Sequence, residues 1–563
     1  MKDSRGAAPL LRVQELKLSV HHAPEAIEKK LRSILKLKPR ERMDYRIVRR
    51  SVDARNKADI LYVYVLDVSV DFPETVLRRA KDRHIAKRIP EVIVPPERGS
   101  VPLFHRPVII GTGPAGLFAG LTLAENGYRP ILLERGEPAN KRQETVKRFW
   151  ETGILDPESN VSFGEGGAGT FSDGKLNTLV KDERGLSQRV LSAFVRHGAD
   201  PEILYLQKPH VGTDRLIGIV GSMRREIERL GGEVRFGVRM EHLILENGVL
   251  KGVRTSGGEI IETEALILAT GHSARDTFQN LYADGVPMEA KSFAVGLRVQ
   301  HPQRMVDVSQ YGEKEAEFLS PAPYRLSHQC GDGRGVYSFC MCPGGYVVNA
   351  STEQGMTAVN GMSYHDRGSE NANAAVIVTV TPEDFRLYGE ADPSWAPGNV
   401  PEGKGNNGQA GPGVLSGLVF QRVLERAAYE RGNGKIPVQL YGDFREGAIS
   451  RDWGEVSPCF RGQTEFAPLH EVLPEPLRQA FTEGMEAFGR KLSGYSRPDA
   501  ILAGVESRTS SPVRIPRGSD LMCHAVSGLY PCGEGAGYAG GITSAAMDGI
   551  RTAEALIRRF SPV

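Results

Sequence analysis

The first hundred residues carry a regular succession of short strand and helix patterns. Period-two alternation of apolar and polar residues, which is typical of half-buried strands, occupies 11–20, and 45–52 and 60–70 are also predicted to be strands. Apolar residues recur at helical spacing in 24–37, and Pro73 begins a second amphipathic helix. The order β-α-β-β-α predicts a small ferredoxin-like α+β module.

A different pattern follows the proline-rich joint at 94–102. A short apolar strand runs straight into Gly111-x-Gly113-x-x-Gly116, followed by a helix pattern and a second apolar strand that ends at Glu134. In such a unit the first glycine permits a tight turn, the second lets the backbone approach a pyrophosphate, and the third lets helix and strand pack closely. The helix N-terminus favours phosphates, and the carboxylate can accept the hydroxyls of an adenosine ribose. The spacing therefore predicts a Rossmann-type dinucleotide site.

A second glycine-rich segment, 528–549, precedes the last helix pattern. It resembles the C-terminal FAD motif of the glutathione-reductase-like superfamily, with Gly533-Glu534 where that motif has Gly-Asp. The resemblance implies that the helix beginning near Thr543 directs its positive end at the flavin. The Gly540-Gly541 pair leaves room for a flat ring against the backbone.

Further stretches strengthen this resemblance. Ala269-Thr-Gly271 resembles the motif that closes the FAD domain in the same superfamily, and 232–238 resembles the strand that meets the adenine. Together with the long, unusual strings at 161–178, 337–345 and 504–512, they resemble a bacterial family of uncharacterised FAD-dependent dehydrogenases. The family resemblance implies FAD, a Rossmann core and a second, substrate-facing domain, but it supplies no substrate.

These features predict an α/β protein with a Rossmann-type FAD-binding core, an inserted α+β substrate domain and the N-terminal module. We expect the module at 1–100, the FAD-binding domain at 101–290 and 500–563, and the substrate or cap domain at 291–499. Residues 389–413 contain few apolar side chains, which predicts a surface excursion or lid.

The residues expected to bind FAD come from the fingerprint, from the two basic residues that follow Glu134, from the glycine-rich loop after residue 163, and from the later motifs. They are Gly111, Gly113, Pro114, Ala115, Gly116, Glu134, Arg135, Arg142, Gly167, Ala168, Thr170, Ser172, Val238, Thr270, Gly271, Gly533, Glu534, Gly541 and Ile542.

Four residues are candidates for the chemistry, each with a structural alternative. Lys175 is either an acid or electrostatic group near the flavin, or part of a surface loop. Cys340 and Cys342 would share one face of a strand, as a redox pair or proton donor, or as small residues of a β core. Arg508 either clamps a substrate carboxylate or forms a structural ion pair.

Composition narrows the setting. The six cysteines are scattered and include no Cys-x-x-Cys, so we expect neither disulfides nor a metal site. No apolar run reaches the roughly 20 residues of a membrane helix, and the N-terminus lacks a signal core. We therefore expect a soluble, cytoplasmic protein that binds no membrane.

Charge is distributed unevenly. Residues 1–100 contain 23 Lys and Arg against 14 Asp and Glu, a balance of +9, and since the whole chain carries +2 the remainder carries −7. A basic head of this kind makes a nucleic acid a possible partner.

We expect a dehydrogenase or reductase that moves hydride between flavin N5 and an unidentified small-molecule substrate. Only one complete fingerprint is present, so NAD(P)H, if it is the reductant, docks transiently. The alternatives are an RNA-directed flavoenzyme like those that modify tRNA, a flavin monooxygenase, and a redox sensor without turnover.

Overall fold

The computed structural model describes residues 10–89, 95–178, 180–182, 184–389 and 413–563. The chain forms two compact units, one mainly N-terminal and one containing most of the remaining residues. The expected lid at 389–413 lies outside the described residues, apart from its first and last residue.

The first unit comprises the described part of Met1–Pro96 together with Asp200–Pro209 and Gln310–Ser320. Its elements are β1 (Leu10–Ser19), α1 (Glu25–Ile34), β2 (Met43–Asp53), β3 (Leu61–Val70), α2 (Pro73–Ala80) and β4 (Ile85–Arg88). The strands form one antiparallel sheet in the order β2-β3-β1-β4. The first five elements follow the expected order, and β4 is an addition that its four-residue, half-basic sequence did not indicate.

The core of this unit follows the sequence pattern with one interruption. Leu11 and Val13 of β1 pack with Ile27 and Leu31 of α1. A register shift in β1 then moves the next buried position to Leu16, an odd-numbered offset that strict alternation does not give.

The second unit comprises the described residues of Glu97–Ala199, His210–Ser309 and Pro321–Val563. The helices that follow α2 are α3 (Pro114–Glu125), α4 (Ala139–Thr152), α5 (Leu186–Arg196), α6 (Thr213–Arg229), α7 (Arg275–Ala283), α8 (Gln303–Tyr311), α9 (Pro382–Gly389), α10 (Ser416–Arg431), α11 (Tyr441–Glu446), α12 (Glu475–Lys491) and α13 (Ile542–Arg559). In the described part of the chain, no helix is both long enough and apolar enough to cross a membrane.

The remaining strands are short apart from β14, β16 and β19. They are β5 (Val101–Pro102), β6 (Val108–Ile110), β7 (Ile131–Glu134), β8 (Glu233–Phe236), β9 (Met240–Glu246), β10 (Val249–Thr255), β11 (Ile260–Glu262), β12 (Leu266–Leu268), β13 (Glu289–Ala290), β14 (Phe293–Pro302), β15 (Ser327–Gln329), β16 (Gly335–Cys342), β17 (Tyr346–Asn349), β18 (Val359–Met362), β19 (Asn371–Val380), β20 (Ile436–Leu440), β21 (Phe460–Arg461), β22 (Thr464–Phe466), β23 (Ile501–Glu506), β24 (Val513–Arg514), β25 (Leu529–Pro531) and β26 (Phe560–Ser561).

A five-stranded parallel sheet in the order β25-β12-β6-β7-β8 carries the dinucleotide fingerprint. Its three neighbouring strands β25, β12 and β6 are buried throughout, as their continuous apolar sequences require in a sheet covered on both faces. Helix α13 packs closely on α3, since a Cβ at Gly549 would lie 2.2 Å from the Ala115 carbonyl oxygen.

A second, seven-stranded sheet has the order β15-β16-β19-β14-β23-β20-β22. Strand β23 lies in this sheet between β14 and β20, although the sequence boundary at residue 500 assigned it to the FAD-binding domain. The chain therefore returns to the parallel sheet only after Glu506.

Candidate functional site

A cleft of about 1350 Å³, a volume that includes space open to solvent, lies within the second unit. One side, the nucleotide wall, is formed by the segments after β6, β7, β8 and β12, the 3-10 turn at 167–171 and the start of α13. The other side, the second wall, consists of Phe339, Cys340, Asn360, Glu506, Arg508 and Thr509.

Most of the residues expected to bind FAD line this cleft. They are Gly111, Gly113, Pro114, Ala115, Glu134, Arg135, Gly167, Ala168, Ser172, Val238, Thr270, Gly271, Glu534, Gly541 and Ile542. Gly116, Arg142, Thr170 and Gly533 are not among the lining residues.

The fingerprint has the geometry that its glycines predict. Gly111 has φ +96°, and a Cβ there would lie 2.8 Å from the Ala269 carbonyl oxygen. At Gly116 a Cβ would lie 1.9 Å from the Gly111 oxygen, so this glycine serves packing and not the cleft surface. A Cβ at Gly113 would meet nothing closer than Gly167 Cα at 3.9 Å, which leaves the space beside the N-terminus of α3 open to a ligand.

Glu134 occupies the expected place at the end of β7, but its carboxylate already has partners. It accepts hydrogen bonds from the backbone N–H and hydroxyl of Thr112 at 2.9 and 2.8 Å, and from the N–H groups of Gly136 and Gly164 at 3.0 Å. These four bonds fill the lone pairs of both oxygens. Glu134 thus joins the fingerprint turn to the glycine-rich loop, and ribose hydroxyls would have to replace or share one of these bonds.

The expectation that Arg142 contacts the cofactor is wrong. Its side chain is fully buried and donates to the carbonyls of Asn160, Val161 and Glu165, each at 2.8 Å. Burial lowers its pKa to about 10. Arg142 therefore braces the glycine-rich loop from behind.

Two smaller expectations change for a similar reason. The hydroxyl of Thr170 donates to the Glu165 carbonyl at 3.3 Å, inside the loop. The N–H of Gly533 donates to Asp548 at 2.8 Å, while the next residue, Glu534, faces the cleft. Both residues shape the nucleotide wall without forming its surface.

The N-terminus of α13 opens on the cleft, one residue earlier than the sequence indicated. Gly540, Gly541 and Ile542 line it, and no side chain caps the helix. The unsatisfied N–H groups and the helix dipole therefore present positive potential to this part of the cleft.

Lys175 does not line the cleft. Its Nζ lies 3.5 Å from the Asp173 carboxylate, which also pairs with Arg367 at 3.0 Å and accepts a hydrogen bond from Ser363 at 2.5 Å. The lysine is held by this cluster outside the cleft lining, and its expected role near the flavin stays a prediction.

The two cysteines do not share a face, contrary to the period-two expectation. A register shift interrupts β16 between Phe339 and Cys342, and Cys340 there has φ +40°, a strained conformation for a residue with a side chain. Cys340 is exposed on the cleft, whereas Cys342 is buried and directs its Sγ to the Cys340 carbonyl at 3.3 Å. The bulge therefore places the two thiols in different environments, one open to the cleft and one buried.

This difference predicts selective labelling. Of the six cysteines, all of which lie in the described ranges, only Cys340 and Cys459 are not buried. We expect N-ethylmaleimide to modify these two in the native protein and Cys342 only after unfolding, as measured by peptide mass spectrometry. Labelling of Cys340 should accelerate as pH rises, because the thiolate is the form that reacts. Equal native labelling of Cys342 would contradict the bulge.

Arg508 lines the second wall, but it is already engaged. It donates to both oxygens of Glu425 at 2.8 and 2.6 Å and to the Thr352 hydroxyl at 2.6 Å. Glu425 is fully buried, and it also pairs with the fully buried Arg275 at 2.8 Å. The structural alternative for Arg508 is therefore the observed one, and the arginine is not a free carboxylate clamp.

Asn360, Glu506 and the arginine that binds both were not foreseen from the sequence. Glu506 bonds the fully buried Arg298 at 2.6 and 3.1 Å. Burial raises the pKa of the Glu506 carboxyl, and the guanidinium opposes that shift. Arg298 is the only Lys, Arg, Asp or Glu residue of β14 and Glu506 the only one of β23, and these two opposite charges in mostly apolar strands could have indicated their contact.

A separate group of potential metal ligands could not be recognised from residue spacing in the sequence. His328, Cys330 and Glu483 bring their ligand atoms within 4.8 Å of one another, although Glu483 lies 155 residues after His328. None of the three lines the cleft.

The cleft fits FAD on three observations. The open side of Gly113 at the start of α3 accommodates a pyrophosphate. The uncapped N-terminus of α13 opens on the cleft, as expected for the helix that points at the flavin. No Cβ contact within 4 Å exists at Gly540, so a flat ring can lie against that backbone.

Comparison with known proteins agrees with this site. Residues 105–294 match the pyridine nucleotide-disulphide oxidoreductase family, 292–509 match the FAD-dependent protein, C-terminal domain-like family, and 11–69 match a domain of unknown function. The chain is 26% identical to digeranylgeranylglycerophospholipid reductase of Haloferax volcanii over 56% of this chain and 68% of the relative.

The L-amino acid deaminase of Proteus myxofaciens aligns over 84% of this chain and 94% of its own, with 12% identity and a TM-score of 0.30, too low to carry an argument. An uncharacterized protein of Clostridium beijerinckii is 45% identical over 98% of this chain and 99% of the relative. Together with the two flavoprotein family matches, this near full-length similarity shows that the chain belongs to a family of FAD-dependent oxidoreductases.

Proposed function

We propose that the chain is a dehydrogenase or reductase in which FAD lies along the nucleotide wall and a small-molecule substrate binds against the second wall. Bound FAD would supply hydride transfer at N5. The observation that supports this proposal most directly is one continuous cleft that reaches from the fingerprint glycines to Cys340 and Glu506.

The residues of the chain supply binding and orientation. The ends of α3 and α13 present N–H groups and positive potential to phosphates and to negative charge on a reduced ring. The second wall comes from β16, β18 and β23, rigid elements that suit precise placement of a substrate. We also propose that residues 291–506, which include β23, form the substrate domain and that the first unit is the ferredoxin-like module, whose sheet order is the one this topology requires.

The first test is the cofactor itself. We expect the purified protein to be yellow and to release about one FAD per chain on denaturation. Anaerobic addition of NADH or NADPH then distinguishes the reductant: bleaching of the flavin band identifies a nicotinamide-dependent enzyme, and no bleaching identifies the substrate or a protein as the donor. A colourless chain that cannot be reconstituted with FAD would refute the proposal.

Oxygen separates a second possibility. If the reduced protein consumes oxygen rapidly and hydroxylates an added substrate, the monooxygenase alternative replaces the dehydrogenase. Slow reoxidation without product favours the proposal.

The RNA-directed alternative rests on the basic first unit, and the side-chain pairing weighs against it. Arg12 and Arg46 both pair with the buried Asp67, at 2.7 and 2.9 Å, and Arg79 pairs with Glu41 at 2.7 Å. Arginines held by carboxylates are poor phosphate ligands. Retention of RNA that is lost steeply with salt would restore this alternative.

A further inference from the structure

The second wall contains a hydrogen-bonding group whose parts come from three strands. Cys340 lies on β16, Asn360 on β18 and Glu506 at the end of β23, and all three line the cleft. Each is bound to one guanidinium, that of Arg298 on β14, which does not itself line the cleft.

Arg298 is fully buried and uses all five of its N–H groups. Its Nε donates to Glu506 at 2.6 Å, and Nη2 donates to Glu506 at 3.1 Å and to Asn360 Oδ1 at 3.0 Å. Its Nη1 donates to Asn373 Oδ1 at 2.8 Å and to the Cys340 carbonyl at 3.0 Å. A guanidinium with every donor engaged leaves its partners one orientation.

That orientation fixes which way the Asn360 amide points. Its Oδ1 accepts from Arg298 and from the N–H of Gly361 at 2.7 Å, so two donors identify this atom as the oxygen. The Nδ2 group must then point away from Arg298, and no partner for it occurs among the described residues. Asn360 thus offers the cleft an unused donor.

Glu506 offers the complementary group. Each of its carboxylate oxygens accepts one hydrogen bond from Arg298, which leaves each oxygen a second lone pair. Because Asn360 and Glu506 both accept from Nη2 of the same arginine and both line the cleft, their side chains are neighbours on the second wall.

We infer that Asn360 and Glu506 form a subsite for an uncharged carboxamide, whose oxygen accepts from Asn360 and whose N–H donates to Glu506. The inference rests on the proposed function, in which the second wall faces the substrate. A carboxylate has no proton to donate and would meet the negative charge of Glu506. The other arginine of this wall, Arg508, is committed to Glu425 and Thr352.

The carboxamide could belong to a small aromatic amide or to the nicotinamide end of NAD(P)H. The two sources share the chemistry that the wall recognises. Two dinucleotides that differ only in the carboxamide, compared with the corresponding free amide and acid, distinguish the two sources.

The test uses the FAD-loaded protein with nicotinamide and its acid isostere nicotinate, followed by the change in the flavin absorption band. We expect nicotinamide to bind at least about tenfold more tightly than nicotinate. For the source, NAD⁺ is compared with nicotinic acid adenine dinucleotide. If NAD⁺ binds more tightly than both nicotinic acid adenine dinucleotide and free nicotinamide, the subsite belongs to NAD(P)H. If only the free amide binds more tightly than its acid, the subsite belongs to the substrate.

Two variants test whether Asn360 and Glu506 cause the preference for nicotinamide over nicotinate. Asn360→Asp keeps the acceptor for Arg298 and Gly361 but replaces the cleft-facing donor by an acceptor, so nicotinamide binding should fall at least about tenfold. Glu506→Gln removes the charge, so nicotinate should bind within about threefold of nicotinamide. Asn373→Asp is the matched control, because Asn373 bonds the same arginine without lining the cleft, and it should retain the wild-type preference.

Three results overturn the inference: nicotinate bound as well as nicotinamide, no flavin response to either probe, or an unchanged preference in Asn360→Asp. Each is measured on folded protein that contains FAD, below the melting temperature of the variant, because Glu506→Gln leaves the buried Arg298 without its carboxylate partner. Failure to bind FAD is a different result and refutes the proposed function instead.

Discussion

Replacing Gly113 by aspartate should lower the affinity for FAD by about 100-fold or more while leaving the fold intact. The backbone there has φ −67°, and a Cβ has ordinary contacts only, so the side chain can enter the cleft without strain. It would place a negative charge beside the position inferred for the pyrophosphate. Two unit charges about 5 Å apart repel by roughly 3 kcal/mol at an effective dielectric constant of about 20.

The measurement is the dissociation constant of FAD for the apoprotein, with thermal unfolding of the apoprotein as the check on folding. Gly218→Asp is the matched control, because Gly218 lies on an exposed face of α6 and its Cβ would meet nothing within 4 Å. Wild-type affinity in Gly113→Asp would show that the pyrophosphate does not lie at the fingerprint.

Replacing Glu425 by glutamine should destabilise the protein by about 3–5 kcal/mol at neutral pH. The carboxylate is fully buried between Arg275 and Arg508, and the isosteric amide leaves both guanidiniums without their shared anion. Urea unfolding measures the change. Glu471→Gln, which removes an exposed partner of Arg431, is the control and should have little effect.

The same pair predicts a pH dependence. Although burial alone would raise it, the two arginines hold the pKa of Glu425 well below its usual range. A lowered pKa contributes stability that is complete above the unfolded value near 4.3 and is lost as pH falls through the folded value. The difference between wild type and Glu425→Gln should therefore be largest at neutral pH and shrink below about pH 4. A difference that stays constant down to pH 3 would contradict the ion pairing.

The part of the site that sequence indicated is the part encoded locally. The fingerprint, its helix and Glu134 lie within one βαβ unit, where glycine spacing alone defines the backbone path. The hydrogen-bond partners of the side chains in this unit could not be foreseen. Arg142 lies on a mostly polar helix, and only the folded loop shows that backbone carbonyls accept the hydrogen bonds of its guanidinium.

The second wall was missed because it depends on distant contacts. Arg298 and Glu506 are separated by 208 residues, and Asn360 joins them from a third strand. The cysteine expectation was wrong for a different reason, since period-two reasoning holds only in an unbroken ladder and β16 has a bulge at Cys340. Such irregularities leave no mark in the apolar pattern.

The edge strand β25 has a consequence for how the protein is made. It is an edge strand of the parallel sheet and pairs with β12, so Leu266 has no pairing partner on this side until Leu529, nearly half the chain later, has been made. Helix α13, whose end opens on the cleft, follows still later. A growing polypeptide on the ribosome therefore cannot complete its cofactor site until β25 and the start of α13 have been synthesised. A stop codon that removed residues 529–559 would therefore cost the protein its cofactor site as well as a strand and a helix.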